Sequence, residues 1–294
     1  MTPLLHVIIL FLVGYFVTAA ENEDELNEVK PPNKYRFMSI IHYRDEKNEI
    51  KPVCAGTLIT SQYVLSAAHC LSDIIKDAKV DSREGLLLDK DLVSRYSVGV
   101  GTHYICNPAE EIEVAKIIVH PGFYMETKET LPVDLMLLQL RKPVQFNDKI
   151  FPICLPELKP EINVDSGTVA GWCQLSNGSI NNVLTENQQS IWSKEDCKDI
   201  FKPFNLKISN HMMCVGGRRG EKECKGDSGG PLFIETHGNY YLIGMTSMGP
   251  TQCDIGIPTL FSKIPLFMSF IMSHSDYIGQ DCYWSLLKDC LRRN

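Results

Sequence analysis

A short glycine-rich segment contains the residue of this chain that is best suited to act as a nucleophile. Ser228 lies in the run Gly226-Asp227-Ser228-Gly229-Gly230, where the glycines allow the backbone to bend sharply and expose the hydroxyl group. Backbone N–H groups in such a bend can point inward and stabilise an oxyanion. A serine hydroxyl also needs a base to remove its proton. Taken alone, a Gly-Asp-Ser segment is usually only a polar turn, so a nucleophilic serine requires a base elsewhere in the chain.

Two residues upstream can complete such a site. His69 follows two alanines at the end of a strand-like run, and Asp134 opens an apolar run. A buried carboxylate costs several kcal/mol unless it has partners, and a histidine N–H would be one. Separately, one of eight histidines and an acid at a strand edge mean little. Together with Ser228 they have the order histidine, aspartate, serine of an acyl-transfer triad.

The segments of the chain that must position these three residues are predicted to be short β-strands. The runs are rich in β-branched and aromatic residues and are separated by Gly, Pro, Asn and Asp turns, which is typical of an all-β barrel or sandwich. Residues 191–204 and 266–271 are predicted to be helical, and residues 71–92 a charged, looped insertion. The predicted strands are Phe37–Tyr43, Ala55–Ile59, Tyr63–Ser66, Tyr96–Val100, Ile112–Val119, Leu135–Leu140, Val169–Trp172, Pro231–Ile234, Tyr240–Ser247 and Thr259–Ile264.

Composition limits the function classes. A chain of 294 residues with 44% hydrophobic content can bury a substantial core, in one large domain or two subdomains. The net charge of −7 argues against nucleic-acid binding, which favours a basic surface.

Residues 1–20 predict a signal peptide, because a nearly unbroken apolar run ends in the small residues Thr18-Ala19-Ala20. No Lys or Arg precedes the run, which is atypical of a signal peptide. The alternative interpretation of this segment is an N-terminal membrane anchor. The run is shorter than the roughly 20 residues that a span prefers, so we expect a secreted, extracellular protein that leaves the membrane after signal removal.

Eleven cysteines suit an oxidising compartment and a framework of disulfides. Because the number is odd, at least one thiol is free or forms a disulfide between molecules; otherwise we expect a monomer. Asn177 begins the one glycosylation sequon outside the signal segment, Asn-Gly-Ser.

The motifs together resemble those of the chymotrypsin/trypsin family of serine proteases. The resemblance covers about residues 34–273 through four ordered motifs: Ala67-Ala68-His69-Cys70, Asp134-Leu135-Met136-Leu137-Leu138, Gly171-Trp172 and Gly226-Asp227-Ser228-Gly229-Gly230-Pro231. It implies two six-stranded antiparallel β-barrels that meet at a cleft, with a short C-terminal helix. Outside this domain we expect an acidic, mobile segment at residues 21–33 and a cysteine-containing extension at residues 274–294, whose apolar residues favour a helix packed on the body.

The resemblance also implies roles for particular residues. Ser228 would attack the scissile carbonyl, His69 would act as general base and then acid, and Asp134 would orient the imidazole. The N–H groups of Gly226 and Ser228 would form the oxyanion hole, with Asp227 supporting its loop. Ser247, Met248 and Gly249 match the segment that pairs with the substrate backbone. The implied disulfides are Cys54–Cys70, Cys197–Cys214 and Cys224–Cys253, and the pairing of Cys106, Cys154, Cys173, Cys282 and Cys290 stays open.

The predicted specificity pocket departs from the tryptic pattern. Lys222 stands at its floor, where trypsin-like members have Asp, so cleavage after Lys or Arg is not expected. Thr259 stands where the family has a Gly that opens the pocket. Two interpretations remain: Lys222 selects acidic P1 side chains, or it pairs with Glu221 or Glu223 and partly plugs the pocket.

The N-terminal segment that would activate the enzyme also differs from the family pattern. Active relatives have an Ile-Val-Gly-Gly-like N-terminus, and the corresponding region here, residues 21–24, reads Glu-Asn-Glu-Asp with no preceding basic residue. Asp227 then lacks its usual cation unless Lys222 or Lys225 serves.

Two functions are therefore predicted. The first is a secreted serine endopeptidase of non-tryptic specificity that needs no cofactor or metal, with peptide or protein substrates and serpin- or Kunitz-type inhibitors as partners. The alternative is a catalytically weak or inactive homologue that acts as a binding partner, decoy or cofactor in a secreted proteolytic cascade.

Overall fold

The structure is a computed structural model that describes residues 27–71, 86–87, 90–124, 131–156, 164–172, 179–218, 228–249 and 256–277. These residues contain thirteen β-strands, three short α-helices and four 3-10 turns. The strands are β1 (Met38–Arg44), β2 (Ile50–Leu58), β3 (Tyr63–Ser66), β4 (Leu86–Leu87), β5 (Tyr96–Val100), β6 (Glu110–Val119), β7 (Met136–Leu140), β8 (Ser166–Gly171), β9 (Thr185–Ser190), β10 (Met212–Val215), β11 (Pro231–Thr236), β12 (Asn239–Met248) and β13 (Thr259–Lys263). The helices are α1 (Lys90–Val93), α2 (Lys194–Phe201) and α3 (Met268–His274), and the 3-10 turns are Ala68–Leu71, Pro121–Tyr124, Lys202–Phe204 and Ile264–Phe267.

The strands form two antiparallel sheets, one from each half of the chain. The first has the order β4-β6-β5-β1-β2-β3-β7 and closes on itself through pairing of β6 with β7. The second has the order β10-β13-β12-β11-β8-β9, and a bridge between Ile191 and Val215 brings its two edges together. Because β4 has only two residues, each barrel has six main strands. This confirms the predicted all-β architecture of two six-stranded barrels.

Ten of the strands overlap the ten predicted runs, but β4, β9 and β10 were not predicted from the sequence. Strand β9 reads Thr-Glu-Asn-Gln-Gln-Ser, a composition with few of the residues that favour strands. It forms because all six of its residues pair with β8, and because Thr185 and Gln189 are buried against the body. Tertiary pairing therefore overrides local propensity here.

The N-terminal side of the first barrel is attached to the second barrel. Val29 is fully buried and its N–H donates to the carbonyl of Leu184 (3.0 Å). Glu186 accepts from Lys34 Nζ at 2.9 Å, and Tyr35 donates its hydroxyl to the same carboxylate. The described packing therefore includes Val29, which lies upstream of the predicted domain boundary at Lys34. The last residues of the segment predicted to be mobile are held on β9.

The C-terminal helix α3 packs on the first barrel, with Met268, Phe270 and Ile271 buried. Beyond the helix, Thr60 donates its hydroxyl to Asp276 at 2.7 Å and Tyr277 is 7% exposed. Packing thus continues past the predicted boundary at residue 273. Among the described residues, no helix has both the length and the apolar character needed to cross a membrane.

The turn that carries Ser228 is pressed against the first barrel at Gly229. Its φ is +73°, and a Cβ there would lie 2.1 Å from Ser66 Oγ and 2.6 Å from the carbonyl oxygen of Ala55. Ala55 belongs to β2, so its carbonyl has little freedom to move away. Only glycine combines this backbone conformation with this close approach.

We expect Gly229→Ala to destabilise the fold by about 3 kcal/mol or more, since left-handed strain and a backbone clash add together. Gly238→Ala is the matched control, because Gly238 has φ +75° and a Cβ on it would have no atom within 4 Å. Strain alone should cost that variant about 1–2 kcal/mol. Urea unfolding followed by circular dichroism measures both, and equal losses would contradict the proposed close contact.

Candidate active site

His69 lies in the 3-10 turn Ala68–Leu71, directly after β3. Ala67 and Ala68 are fully buried, so the turn packs closely on the barrel without large side chains. The disulfide between Cys54 and Cys70 ties this turn to β2. The histidine backbone is thereby fixed on both sides.

Asp134 lies just before β7 and is 5% exposed. Its carboxylate accepts three hydrogen bonds: Oδ1 accepts from the N–H of His69 at 2.8 Å, and Oδ2 accepts from His69 Nδ1 at 2.6 Å and from Ser247 Oγ at 2.5 Å. Ser262 Oγ donates to its backbone carbonyl at 3.0 Å. The three hydrogen bonds to the carboxylate offset the cost of removing it from water.

The geometry determines which nitrogen of His69 is free. Because Nδ1 donates to Asp134, the neutral imidazole has its lone pair on Nε2. Burial lowers the pKa of His69, but the hydrogen bond and the negative charge of Asp134 raise it, and the net pKa lies above the ordinary value of 6.5. The pair can therefore accept a proton at Nε2 and stabilise the imidazolium that results.

Ser228 is half-buried and precedes β11. Its carbonyl accepts from the N–H of Ala55 at 2.9 Å, and the next residue, Gly229, donates its N–H to the carbonyl of Thr246 at 2.9 Å. Ala55 follows Cys54, which is bonded to the neighbour of His69. The structure thus places Ser228 at the same junction between the barrels as His69 and Asp134.

The hydrogen bonds from Ser247 and Ser262 to Asp134 were not predicted from the sequence. The family resemblance places Ser247 in the substrate-binding segment, and nothing in the local pattern of β12 or β13 distinguishes either serine from an ordinary strand residue. Both belong to the second barrel, whereas Asp134 belongs to the first. Their contribution follows only from the way that the barrels meet.

Thr259 and Gly249 face each other in the region of the predicted pocket. A Cβ on Gly249 would lie 2.7 Å from Thr259 Oγ1 and 3.3 Å from its methyl carbon. The threonine side chain therefore occupies the space next to the glycine backbone. Behind it, Gly217 is closely packed on Ile257 and Pro258, which fixes the start of β13.

Several predicted site residues lie outside the described part of the chain, and they stay predictions: Lys222, Cys224, Gly226, Asp227, Cys253 and Asn177. Among the described cysteines, Cys197 and Cys214 form a second disulfide, Cys154 is also disulfide-bonded, and Cys106 is free and exposed. The one cluster of three candidate metal ligands in the described residues is Cys54, His69 and Cys70. Its sulfurs are joined in a disulfide, so it offers no thiolate.

The fold and this junction define a two-barrel protein with a paired His–Asp site, and comparison with known proteins identifies the family. The family model described as Trypsin matches residues 27–271, so the chain belongs to the trypsin family of serine proteases.

Similarity to individual proteins supports membership of the trypsin family. The chain is 31% identical over 248 residues to Melanization protease 1 of Drosophila melanogaster, covering 81% of this chain and 62% of that protein. It is 31% identical over 263 residues to the Spaetzle-processing enzyme of the same organism, with 81% and 62% coverage. The chain thus spans less than two thirds of the length of these relatives. A solved structure of neuropsin, a serine protease from mouse brain, is 27% identical with a TM-score of 0.65, covering 85% of this chain and 98% of that one.

We expect Asp134→Asn to lower the pKa of His69, because burial then acts without the opposing charge of the carboxylate. NMR titration of the imidazole C–H protons measures this pKa. Ser247→Ala is the control, since it removes a donor to Asp134 but keeps the charge, and it should not lower the pKa of His69. An unchanged titration midpoint in Asp134→Asn would show that the carboxylate does not control His69.

Proposed function

We propose that this protein is a secreted serine endopeptidase of non-tryptic specificity, with Ser228 as nucleophile and His69 as general base. The observation that carries the proposal is the two-point hydrogen bonding of Asp134 to His69. It holds the imidazole in the tautomer that presents the Nε2 lone pair, at the junction where Ser228 lies. Membership of the trypsin family supports the same reaction.

In the proposed reaction, Nε2 of His69 removes the proton of Ser228 as the hydroxyl oxygen attacks the peptide carbonyl. The negative charge on the carbonyl oxygen is stabilised by the N–H groups of Ser228 and Gly226. The imidazolium, stabilised by Asp134, then protonates the leaving amine, and an acyl-enzyme forms. Water deprotonated by His69 hydrolyses the acyl-enzyme and returns Ser228 to its starting state.

Contact between Thr259 and Gly249 supports the proposed specificity. We propose that a threonine side chain in this position narrows the pocket and that the enzyme therefore prefers small aliphatic P1 side chains. The name of the Spaetzle-processing enzyme states that this relative processes Spaetzle. We propose that the substrate here is a secreted protein precursor.

Reaction with a fluorophosphonate tests the nucleophile in the secreted full chain. We expect covalent labelling that is abolished in Ser228→Ala. Only neutral His69 can accept the proton, so the labelling rate should rise with pH and reach half its maximum above 6.5, as the raised pKa requires. Asp134→Asn should slow labelling by about 10⁴-fold. A folded protein that does not label would instead support the inactive homologue that acts by binding.

Cleavage of a peptide library tests the specificity. We expect Thr259→Gly to open the pocket and to raise the ratio of kcat/KM for Phe over Ala at P1 by about 10-fold or more. Thr236→Gly is the control, because Thr236 lies at the end of β11 in an exposed hairpin, and it should leave the ratio unchanged. An unchanged ratio in Thr259→Gly would show that Thr259 does not limit P1.

A further inference from the structure

Three histidines from three separate elements meet behind the candidate active site. The ring of His120, which follows β6, lies 5.3 Å from Phe267 and 4.7 Å from Phe270, measured between ring centroids. His211, which precedes β10, lies 6.0 Å from Phe267, and His274 at the end of α3 lies 4.6 Å from Phe270. The cluster therefore joins the first barrel, the second barrel and the C-terminal helix.

The turn that begins at His120 holds both chain neighbours of Asp134. The backbone N–H of His120 donates to the carbonyl of Leu135 at 2.9 Å, and the N–H of Val133 donates to the carbonyl of Gly122 at 3.1 Å. The imidazole fixes this turn, because its Nδ1 accepts from the N–H of Gly122 at 3.0 Å. Gly122 is also in close contact with Val133, since a Cβ on Gly122 would lie 2.8 Å from Val133 Cγ2.

His211 holds the same segment from the second barrel. Its ring is hydrogen-bonded to Ser209 Oγ at 3.0 Å, and the backbone of Pro132, two residues before Asp134, lies close enough to the ring to raise its pKa. Its own carbonyl accepts from the N–H of Lys263 at 2.8 Å. The residues on both sides of Asp134 are thus held by the elements that carry His120 and His211.

The two histidines are poorly suited to carry charge. Burial, together with the proximity of His211 and His274, lowers the pKa of His120 to about 4. Burial also lowers the pKa of His211, and the nearby backbone of Pro132 opposes this shift. Among the described residues, His211 on the second barrel and His274 on α3 are the ionisable groups that act on His120, and its ring also lies against the rings of Phe267 and Phe270.

We propose that His120 and His211 are positioning residues for Asp134, and that protonation of His120 Nδ1 in acid releases the segment around Asp134. A protonated Nδ1 cannot accept from Gly122, so the turn loses the bond that orients it towards Val133. This regulation of the site rests on the proposed function for its catalytic consequence, but the positioning itself does not require turnover.

The low-field NMR resonance of the His69 Nδ1 proton reports on its hydrogen bond to Asp134 without any catalysis. In the full-length protein we expect this resonance to disappear as the pH falls towards 4. In His120→Asn, the amide oxygen replaces Nδ1 as an acceptor that does not titrate, so the resonance should persist to a pH about one unit lower or more. In His120→Phe, which has no acceptor, it should weaken already at neutral pH.

His211→Gln and His211→Leu form a second pair, since only Gln keeps a donor beside the backbone of Pro132. We expect the resonance to be retained in the first and weakened in the second. His237→Gln, in the exposed hairpin between β11 and β12, is the control and should behave as the wild type. The proposal is overturned if all the His120 and His211 variants lose the resonance at the wild-type pH. Failure of Ser228 to react with a fluorophosphonate would refute the proposed function and leave this result intact.

Discussion

The buried carboxylate of Asp134 is the constraint on which the arrangement of the two barrels depends. A carboxylate that is 5% exposed must receive hydrogen bonds from its surroundings, and its donors come from both halves of the molecule. His69 supplies two from the first barrel, and Ser247 supplies one from the second. If the barrels separated or rotated, a charged group would lose a donor in an apolar environment. The hydrogen bonds to the Asp134 carboxylate therefore both orient His69 and hold the two barrels together.

The other contacts at the junction between the barrels hold Ser228, His69 and Asp134 in fixed positions relative to β2. Gly229 permits the approach of the Ser228 turn to β2, where the carbonyl of Ser228 accepts from Ala55. Ser66 Oγ donates to the carbonyl of Ala55 at 2.8 Å, on the other side of the same contact. The disulfide from Cys54 to Cys70 links this strand to the turn of His69. Ser228, His69 and Asp134 are thus each attached to β2 or to an element that contacts it directly, which limits their independent movement.

Much of the fold could be predicted because its signals are local. Strands such as Ile112–Val119 and Leu135–Leu140 carry their β-branched and apolar residues in short runs bounded by turn residues. Strand β9 could not be predicted, since Glu186, Asn187 and Gln188 favour a strand only when β8 lies beside them. The attachment of Val29 to Leu184 was missed for a similar reason, as the acidic composition of the preceding residues indicated mobility.

The sequence by itself determined the family and was sufficient to predict the chemistry of the site. The glycine-rich turn around Ser228, the alanines before His69 and the apolar run after Asp134 are each recognisable within a few residues. Their order along the chain is sufficient to predict a triad. Only the tertiary structure decided what surrounds those residues. Ser247 donates to a carboxylate 113 positions away, Thr259 fills the space beside Gly249, and His120 and His211 enclose the segment of Asp134. Such contacts join residues from different strands and different barrels, so they depend on packing geometry, which no local pattern in the chain encodes.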